Sequence, residues 1–309
     1  MRTRLSAWGL GGHLRRLLGV RLGRLHQHRP QPMSVTAIGF AGDIGGLPRI
    51  SLVTPSFNQA SFVGKTIESV LSQGYPDLEY IVQDACSNDG SAEILGSFDG
   101  RPLEIHIERD SGQADALNRG FARTSGEIMG YLNSDDLLLP GMLHTVGTYF
   151  RDHPEVDVIY GNRLIIDEQG REIGRWILPG HDGQVLRHID YVPQESMFWR
   201  RRIWDKAGSR VDAGLRFAMD WELILRFADA GAVFRHVPRL IGVFRVHGAQ
   251  KSQADFVRHG AHEIGTLRRG SYGATQGKMA RLLHHGRFLY AHRIADAAFD
   301  KALKQGESI

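Results

Sequence analysis

Short apolar segments alternate with segments of helical periodicity over residues 50–132, and this alternation restricts the possible folds more than any other feature of the chain. Strands are predicted at 50–54, 78–84, 103–107 and 127–132, and helices at 61–73, 91–95 and 113–124. Parallel strands joined by helices form right-handed crossovers, which cover both faces of the sheet. The pattern therefore predicts an α/β fold with a mostly parallel, Rossmann-like sheet flanked by helices.

Beyond residue 136 the pattern is less regular. It predicts helices at 140–150 and 221–230, strands at 156–160, 233–237 and 241–246, and a hairpin over 162–176. Residues 254–309 are predicted to be mainly helical. We therefore expect a main domain over 49–253, with halves at 49–136 and 137–253, followed by a helical C-terminal region over 254–309.

Basic residues are concentrated at the start of the chain. Residues 1–49 contain eight arginines and one acidic residue, a charge of +7, so residues 50–309 carry −3 of the net charge of +4. This distribution argues against a nucleic-acid partner for the main domain. We predict that residues 1–48 form a basic, flexible extension, which could associate peripherally with an anionic membrane surface. A disordered tail and a translation start at Met33 are the alternatives.

Two further features limit the class of protein. The single cysteine, Cys86, excludes an intrachain disulfide or a cysteine-rich metal site, and no base for a nucleophilic role is evident beside it. No uninterrupted apolar stretch approaches the roughly 18 residues that a membrane-spanning helix needs, and arginines interrupt any apolar core of a secretory signal. We expect a cytoplasmic protein, with peripheral association at the inner face of the cytoplasmic membrane as a further option.

A polar or acidic cluster follows each of the first four predicted strands. The clusters are 55–58, 84–90, 110–112 and 133–136. Because ligands of an open parallel sheet bind beyond the carboxyl ends of its strands, we expect these residues to converge on one site. The usual glycine-rich phosphate loops are absent, and carboxylates at a strand end suit a hard divalent cation. The inferred ligand is a nucleotide diphosphate with Mg²⁺ or Mn²⁺.

Several motifs, in this order and spacing, resemble the family-2 glycosyltransferases of the GT-A fold. They are PSFN at 55–58, DACSNDGS at 84–91, RDSGQADALNRG at 109–120, SGEIMGYLNSDDLLLPG at 125–141, PQESMFWRR at 193–201, FAMDWELILRFADAG at 217–231 and FRVHGAQKS at 244–252. The similarity covers about 200 residues and is greatest to bacterial enzymes that build capsular, lipopolysaccharide or exopolysaccharide chains. It implies a GT-A fold over residues 49–253.

The resemblance implies a role for each matching residue in donor binding. Thr54, Pro55, Asn58 and Asp84 would hold the base and ribose, and Asp110, Gly112, Asp115 and Asn118 would shape the floor of the nucleotide site. Asp135 would contact the ribose or the metal, Asp136 would ligate the metal, and His247 would close over the diphosphate or ligate the metal. Lys251 and Ser252 would contact phosphate. Asp89 and Ser91 are expected to be structural.

The same resemblance assigns the acceptor side. Gln194, Glu195 and Trp221 would line the acceptor pocket, and Asp220 would be the general base. Many relatives have Glu-Asp where this chain has Met219-Asp220. The implied activity is inverting, metal-dependent transfer of a sugar from a nucleotide-diphosphate sugar to a glycan or lipid-linked acceptor. A sugar nucleotidyltransferase and a non-catalytic nucleotide- or glycan-binding protein are the alternatives.

Overall fold

A computed structural model describes residues 20–33, 42–248, 259–271 and 278–305. Its strands are β1 (Ile50–Ser56), β2 (Leu78–Asp84), β3 (Glu104–Ile107), β4 (Ile128–Tyr131), β5 (Leu137–Leu138), β6 (Val158–Ile166), β7 (Glu172–Trp176), β8 (Met197–Arg200) and β9 (Phe234–Arg245). Its helices are α1 (Val63–Leu71), α2 (Ser91–Gly96), α3 (Gln113–Ala122), α4 (Met142–Asp152), α5 (Gly183–Leu186), α6 (Arg201–Lys206), α7 (Met219–Asp229), α8 (Ala261–Ser271) and α9 (Lys278–Lys304). A 3-10 turn spans Gln194–Ser196.

All nine strands of the described residues form one sheet in the order β3-β2-β1-β4-β8-β6-β9-β5, with β7 paired to β6. The neighbouring strands β3, β2, β1 and β4 are parallel, as the alternation of strands and helices predicts. In the second half, β6 and β9 are parallel, whereas β8, β5 and β7 pair antiparallel. The α/β prediction is confirmed, and the parallel arrangement is most complete in the first half.

Apolar side chains on alternate positions of the strands bury both faces of the sheet. Val53 packs with Leu117 and Phe121 of α3 in one cluster, whereas the preceding Leu52 packs with Val63 of α1 in the other. This alternation follows from the two-residue period of a strand. Helices therefore cover both faces and leave the carboxyl ends of β1, β2, β3 and β4 open.

The elements of the second half differ in detail from the sequence predictions. The strand predicted at 156–160 and the first arm of the predicted hairpin form one strand, β6, which is buried along its whole length. The two strands predicted at 233–237 and 241–246 likewise form one strand, β9, whose pairing with β6 shifts register beside Asn162. The sequence pattern predicts neither β5 nor β8: β5 has only two residues, and β8 passes directly into helix α6 without a turn residue between them.

Part of the predicted N-terminal extension packs against the body. Val20 and Leu22 are each 1% exposed, and the N–H of Leu22 donates to Nε2 of His292 in α9 at 3.2 Å. Arg21 forms ion pairs with Asp296 and Asp300 of the same helix. Residues 20–33 therefore belong structurally to the body, whereas residues 1–19 and 34–41 of the extension lie outside the described residues.

The C-terminal helices α8 and α9 agree with the prediction of a helical region after residue 254. Helix α9 contributes Phe288 and Leu289 to one apolar cluster and Phe299 to the other. Within the described part of the chain, no helix is both long and apolar enough to cross a membrane.

Candidate active site

A cleft of about 820 Å³ opens at the carboxyl ends of the parallel strands. The loops after β1, β2, β3 and β4 all reach it, as the positions of the polar clusters predict. From these loops the cleft is lined by Pro55, Ser56, Phe57, Gln59, Ala85, residues 110–113 and residues 133–136. The second half closes the other side with β6, β7, β9, the 3-10 turn and the start of α7. The cleft is thus shared by the two halves.

The turn after β4 brings two carboxylates into the cleft. The N–H of Asp136 donates to the Asn133 carbonyl at 3.0 Å, and Asp136 itself is 1% exposed. Its Oδ1 accepts the backbone N–H of Arg245 at 3.0 Å, and Oδ2 of Asp135 pairs with Nε2 of His247 at 2.9 Å. Burial and the neighbouring charge of Asp135 raise the pKa of Asp136 well above its usual range.

Strand β9 supports that turn from the side. The side chain of Arg245 donates through Nε to the Asp135 carbonyl at 2.9 Å, and its guanidinium lies 5.0 Å from the centre of the Phe62 ring. The same ring lies 4.7 Å from that of His247. The end of β9 and the residues directly after it therefore fix both aspartates: Arg245 through its backbone N–H at Asp136, and Arg245 and His247 through their side chains at Asp135.

An ion pair that the sequence did not indicate lies across the cleft. Nε and Nη2 of Arg163 donate to Oε1 and Oε2 of Glu195 at 2.6 and 2.5 Å. The guanidinium also lies 4.5 Å from the ring of Trp176 and 4.4 Å from that of Phe244. A Cβ atom on Gly242 would lie 2.4 Å from Cγ of Glu195, so only glycine allows this approach. Because the pair is bidentate and buried, both orientations are fixed.

Gln194 connects the two halves of the cleft. Its side chain donates to the Tyr131 carbonyl at 2.7 Å and accepts from Nδ2 of Asn133 at 3.1 Å. Asn133 in turn accepts from Nε2 of Gln113 at 2.7 Å. This chain of amides links the start of α3, the turn after β4 and the 3-10 turn. It holds the predicted nucleotide side against the predicted acceptor side.

Two aspartates from the second half face the cleft close to each other. Burial raises the pKa of Asp220, although its Oδ1 accepts the N–H of Trp221 at 2.8 Å. Burial also raises the pKa of Asp190 well above its usual range, and the negative charge of Asp220 raises it further. Asp190 follows no predicted strand and lies in an irregular segment, so nothing in the sequence pattern pointed to it. A carboxylate with a raised pKa is suited to accept a proton.

The structure brings Pro55, Asp110, Gly112, Asp135, Asp136, Gln194, Glu195 and Asp220 of the predicted site residues to the cleft. Three more are chain neighbours of lining residues. The hydroxyl of Thr54 is buried against that of Tyr80 at 3.0 Å, and Asp84, which is fully buried, accepts the N–H and the hydroxyl of Ser87. Asn58 has a positive φ of 54° and accepts the N–H of Asn88 at 3.0 Å. These residues shape the loops after β1 and β2.

Other predicted site residues have contacts that explain them without a ligand. Asp115 accepts from Arg119 and from the N–H of Ser111, which lowers its pKa. The side chain of Asn118 donates to the Val211 carbonyl and accepts the Val211 N–H. Trp221 is 1% exposed, and its indole N–H donates to the Leu186 carbonyl at 2.9 Å, so it packs in the core and does not line the cleft. Lys251 and Ser252 lie outside the described residues.

Asp135 and Asp136 provide oxygen ligands of the kind that Mg²⁺ and Mn²⁺ prefer. Among the described side chains, no group of three or more His, Cys, Asp and Glu residues is placed to hold a metal ion alone. Mg²⁺ is commonly bound by one or two carboxylates, with phosphate oxygens and water completing its shell. Oδ2 of Asp136 has a weak 3.5 Å contact with Asn133, which a cation would displace at little cost. The residues present fit a cation shared with a diphosphate.

The sequence of this chain matches one known protein family. The family described as Glycosyl transferase family 2 matches residues 51–223, which include β1 to β8 and the start of α7. The chain belongs to glycosyl transferase family 2. The predicted resemblance is confirmed, and the protein is an enzyme of the glycosyltransferase class. This membership argues against the nucleotidyltransferase and the non-catalytic binding protein.

One curated relative of this glycosyltransferase is the O-antigen biosynthesis protein RfbC of Myxococcus xanthus. The two sequences are 29% identical over 258 residues, which is 82% of this chain and 20% of that protein. The chain therefore spans about a fifth of the length of this relative. The relatives of this chain thus include a protein that is named for its part in the biosynthesis of a cell-surface polysaccharide.

Solved structures of other glycosyltransferases share the fold. TarS 1–349 of S. aureus, solved in complex with UDP-GlcNAc, has a TM-score of 0.61 at 15% identity over 79% of this chain and 72% of that one. The mannosyltransferase PcManGT of Pyrobaculum calidifontis, solved with GDP-Man and Mn²⁺, has a TM-score of 0.58 at 20% identity over 88% and 78%. The GT-A fold predicted from the sequence is therefore confirmed.

Proposed function

We propose that this glycosyltransferase transfers a sugar from a nucleotide-diphosphate sugar to a hydroxyl group of a glycan or lipid-linked acceptor, with inversion at the anomeric carbon. The observation that carries the proposal is that Asp220 lines the same cleft as Asp135 and Asp136. The cleft thus has one carboxylate suited to accept a proton and a pair suited to a cation–diphosphate group. A single displacement can use both, one for the acceptor proton and the other for the departing diphosphate.

The donor occupies the first half of the cleft in this proposal. Pro55 and Asp110 lie beside the nucleoside, Gly112 leaves room for close approach, and Asp135 and Asp136 face the diphosphate. A bound Mg²⁺ or Mn²⁺ would offset the negative charge of the departing diphosphate. The structures of TarS with UDP-GlcNAc and of PcManGT with GDP-Man and Mn²⁺ support a donor of this chemical class.

In the transfer step, the acceptor oxygen attacks the anomeric carbon while the bond from that carbon to the diphosphate oxygen breaks. The electron pair of the broken bond leaves with the nucleoside diphosphate, and the hydroxyl proton moves to a carboxylate oxygen of Asp220. The raised pKa of Asp220 favours this transfer, because its protonated form is less unfavourable than that of an exposed aspartate. Glu195, neutralised by Arg163, and Gln194 would orient the acceptor.

The acceptor is proposed by analogy with relatives such as RfbC, whose name places it in O-antigen biosynthesis. A lipid-linked acceptor would place the enzyme at the inner face of the cytoplasmic membrane. The arginines of residues 1–19 would then bind anionic headgroups, each contributing about 1 kcal/mol near the surface.

Isothermal titration calorimetry tests the donor class. We expect one of UDP, GDP and dTDP to bind the wild-type protein, and to bind more tightly with Mn²⁺ present. Asp136→Asn should remove the effect of Mn²⁺ because it removes a carboxylate charge from the proposed cation site. The exposed Asp99→Asn is the matched control and should behave as wild type. Failure of all three diphosphates to bind would contradict the proposed donor class.

A further inference from the structure

The turn before helix α7 is held by a carboxylate from the C-terminal region. The backbone N–H groups of Arg216, Phe217 and Ala218 each donate to Glu263 at 2.9 Å, one to Oε1 and two to Oε2. Glu263 lies in α8 and is 7% exposed. Burial raises its pKa, but the three N–H groups outweigh burial and hold the pKa below its usual range. Three charge-assisted bonds to one buried carboxylate make a rigid contact.

The segment that Glu263 holds supplies one wall of the cleft. Arg216, Phe217, Met219 and Asp220 all line it. Helix α7 begins at Met219, and its N-cap residue Ala218 has no side chain that could satisfy the free N–H groups of this end. Glu263 therefore accepts hydrogen bonds from backbone N–H groups at the start of this helix, as the side chain of an N-cap residue usually does. Unlike an N-cap residue, it lies more than 40 positions later in the chain. A shift of Glu263 would be transmitted directly to the proposed base.

Arg216 is the cation that this turn presents to the cleft. A Cβ atom on Gly112 would lie 3.6 Å from its Nη1, so the guanidinium reaches the loop after β3. No ion pair of this guanidinium is found among the described residues, whereas the other cleft arginine, Arg163, is neutralised by Glu195. A diphosphate in a cleft rich in carboxylates needs such a positive group, and arginine matches phosphate oxygens bidentately.

We propose that Glu263 is a positioning residue for sugar transfer: it holds the 216–218 turn so that Arg216 binds the diphosphate of the donor and Asp220 faces the acceptor. The proposal rests on the proposed function for the identity of the donor. It gives the C-terminal region a part in the reaction.

Glu263→Gln is the most direct substitution. Glutamine keeps one acceptor oxygen but turns an NH₂ group toward backbone N–H donors, so the turn loses contacts without losing side-chain volume. With Mn²⁺ present, we expect whichever of UDP, GDP and dTDP binds the wild type to bind this variant about tenfold more weakly. We expect kcat to fall by a similar factor, the scale of one lost hydrogen bond to a charged group. Glu263→Asp should recover part of both. His262→Gln, exposed on the same helix, is the control and should change neither.

Arg216→Ala separates positioning from general stability. Because Arg216 is exposed, its removal should leave the fold intact and weaken diphosphate binding about tenfold. In the Arg216→Ala background, Glu263→Gln should have no further effect on diphosphate affinity but should still lower kcat through Asp220. Hydrogen exchange of the amides at 216–218 should be slow in the wild type and faster in Glu263→Gln.

Additive losses of affinity in the double variant would overturn the proposal, since they would show that Glu263 does not act through Arg216. Unchanged affinity and kcat in Glu263→Gln would overturn it as well, while leaving the proposed function standing. A wild-type protein that binds none of UDP, GDP and dTDP would overturn this proposal and contradict the donor class. A wild-type protein that binds a diphosphate but transfers no sugar would count against the proposed function alone.

Discussion

At the scale of single residues, aspartates that look alike in the sequence differ in their environments. Asp89 and Asp115 accept hydrogen bonds from nearby donors that hold their pKa values low, as expected for turns and helix starts. Burial raises the pKa values of Asp136, Asp190 and Asp220, which line the cleft. The position of an aspartate after a predicted strand indicates where in the fold it lies. It does not indicate whether its carboxylate is hydrogen-bonded or buried. That distinction depends on residues far away in the chain.

The raised pKa of Asp136 predicts a conflict between stability and function. A carboxyl group whose pKa is higher in the folded than in the unfolded state costs stability when both states are ionised, and this cost disappears as the pH falls through the folded-state pKa. Asp136→Asn should therefore increase the free energy of unfolding at pH 7. The gain should vanish below about pH 4, near the ordinary pKa of aspartate. Urea unfolding at both pH values measures it, and a loss of stability at pH 7 would contradict the prediction.

Asp190 and Asp220 predict a particular pH dependence of activity. The proposed base must be ionised, so kcat should fall as the pH is lowered through the raised pKa of Asp220. Because the charge of Asp220 raises the pKa of Asp190 well above its usual range, Asp190 is still protonated at the pH where Asp220 ionises. Asp190→Asn keeps an uncharged group at this position, so it should leave the acidic limb of the kcat profile in place. A limb that moves to lower pH would show that Asp190 carries a negative charge while Asp220 titrates. Asp99→Asn is again the control.

At the scale of elements, the first half could be predicted from the sequence and the second half only in part. Strands β1, β2 and β4 are buried apolar segments that end at polar loops. Helix α3 begins directly after the polar cluster at 110–112. The second half depends on pairings that no local pattern encodes, such as β8 between β4 and β6. Arg163 was missed for the same reason: a charged residue inside a buried strand is explained only by Glu195, 32 positions later.

Close packing of α3 on β1 predicts the outcome of a glycine substitution. A Cβ atom on Gly120 would lie 2.5 Å from Cγ1 of Val53, so Gly120→Ala should push the helix away from the sheet and cost about 1–3 kcal/mol. Gly96→Ala is the matched control, because nothing lies within 4 Å of its Cβ position. We expect the control to be neutral or slightly stabilising. Thermal unfolding that ranks the two variants in the opposite order would contradict this packing.

At the scale of the whole molecule, residues 20–33 and helix α8 both contact the body near the cleft. Leu25 lines the cleft, and the indole N–H of Trp176 donates to the Arg24 carbonyl at 3.0 Å. The sequence predicts a flexible basic extension here. Leucines and glycines scattered among arginines form no pattern from which the burial of Val20 and Leu22 could be predicted. The partners of that segment lie in β7 and α9, which no local pattern connects with it.

Two truncations separate the proposed membrane contact from packing. Removal of residues 1–19 should lower sedimentation with anionic vesicles, because it removes four arginines, and should leave the unfolding midpoint unchanged. Removal of residues 1–33 also removes the buried Val20 and Leu22, and should cost about 3 kcal/mol of stability. Neutral vesicles serve as the control. Equal binding of the full chain and the shorter truncation would contradict the proposed contact.

The central claim is that one cleft combines a donor site with Asp220 as the base, and Asp220→Asn tests it most directly. Sugar transfer from the donor whose diphosphate binds in calorimetry should fall by at least about a hundredfold, the scale of general base catalysis. The affinity for that diphosphate should stay within about twofold of the wild type, since Asp220 is proposed to contact the acceptor hydroxyl and not the nucleotide. An Asp220→Asn enzyme that retained wild-type turnover would contradict the claim.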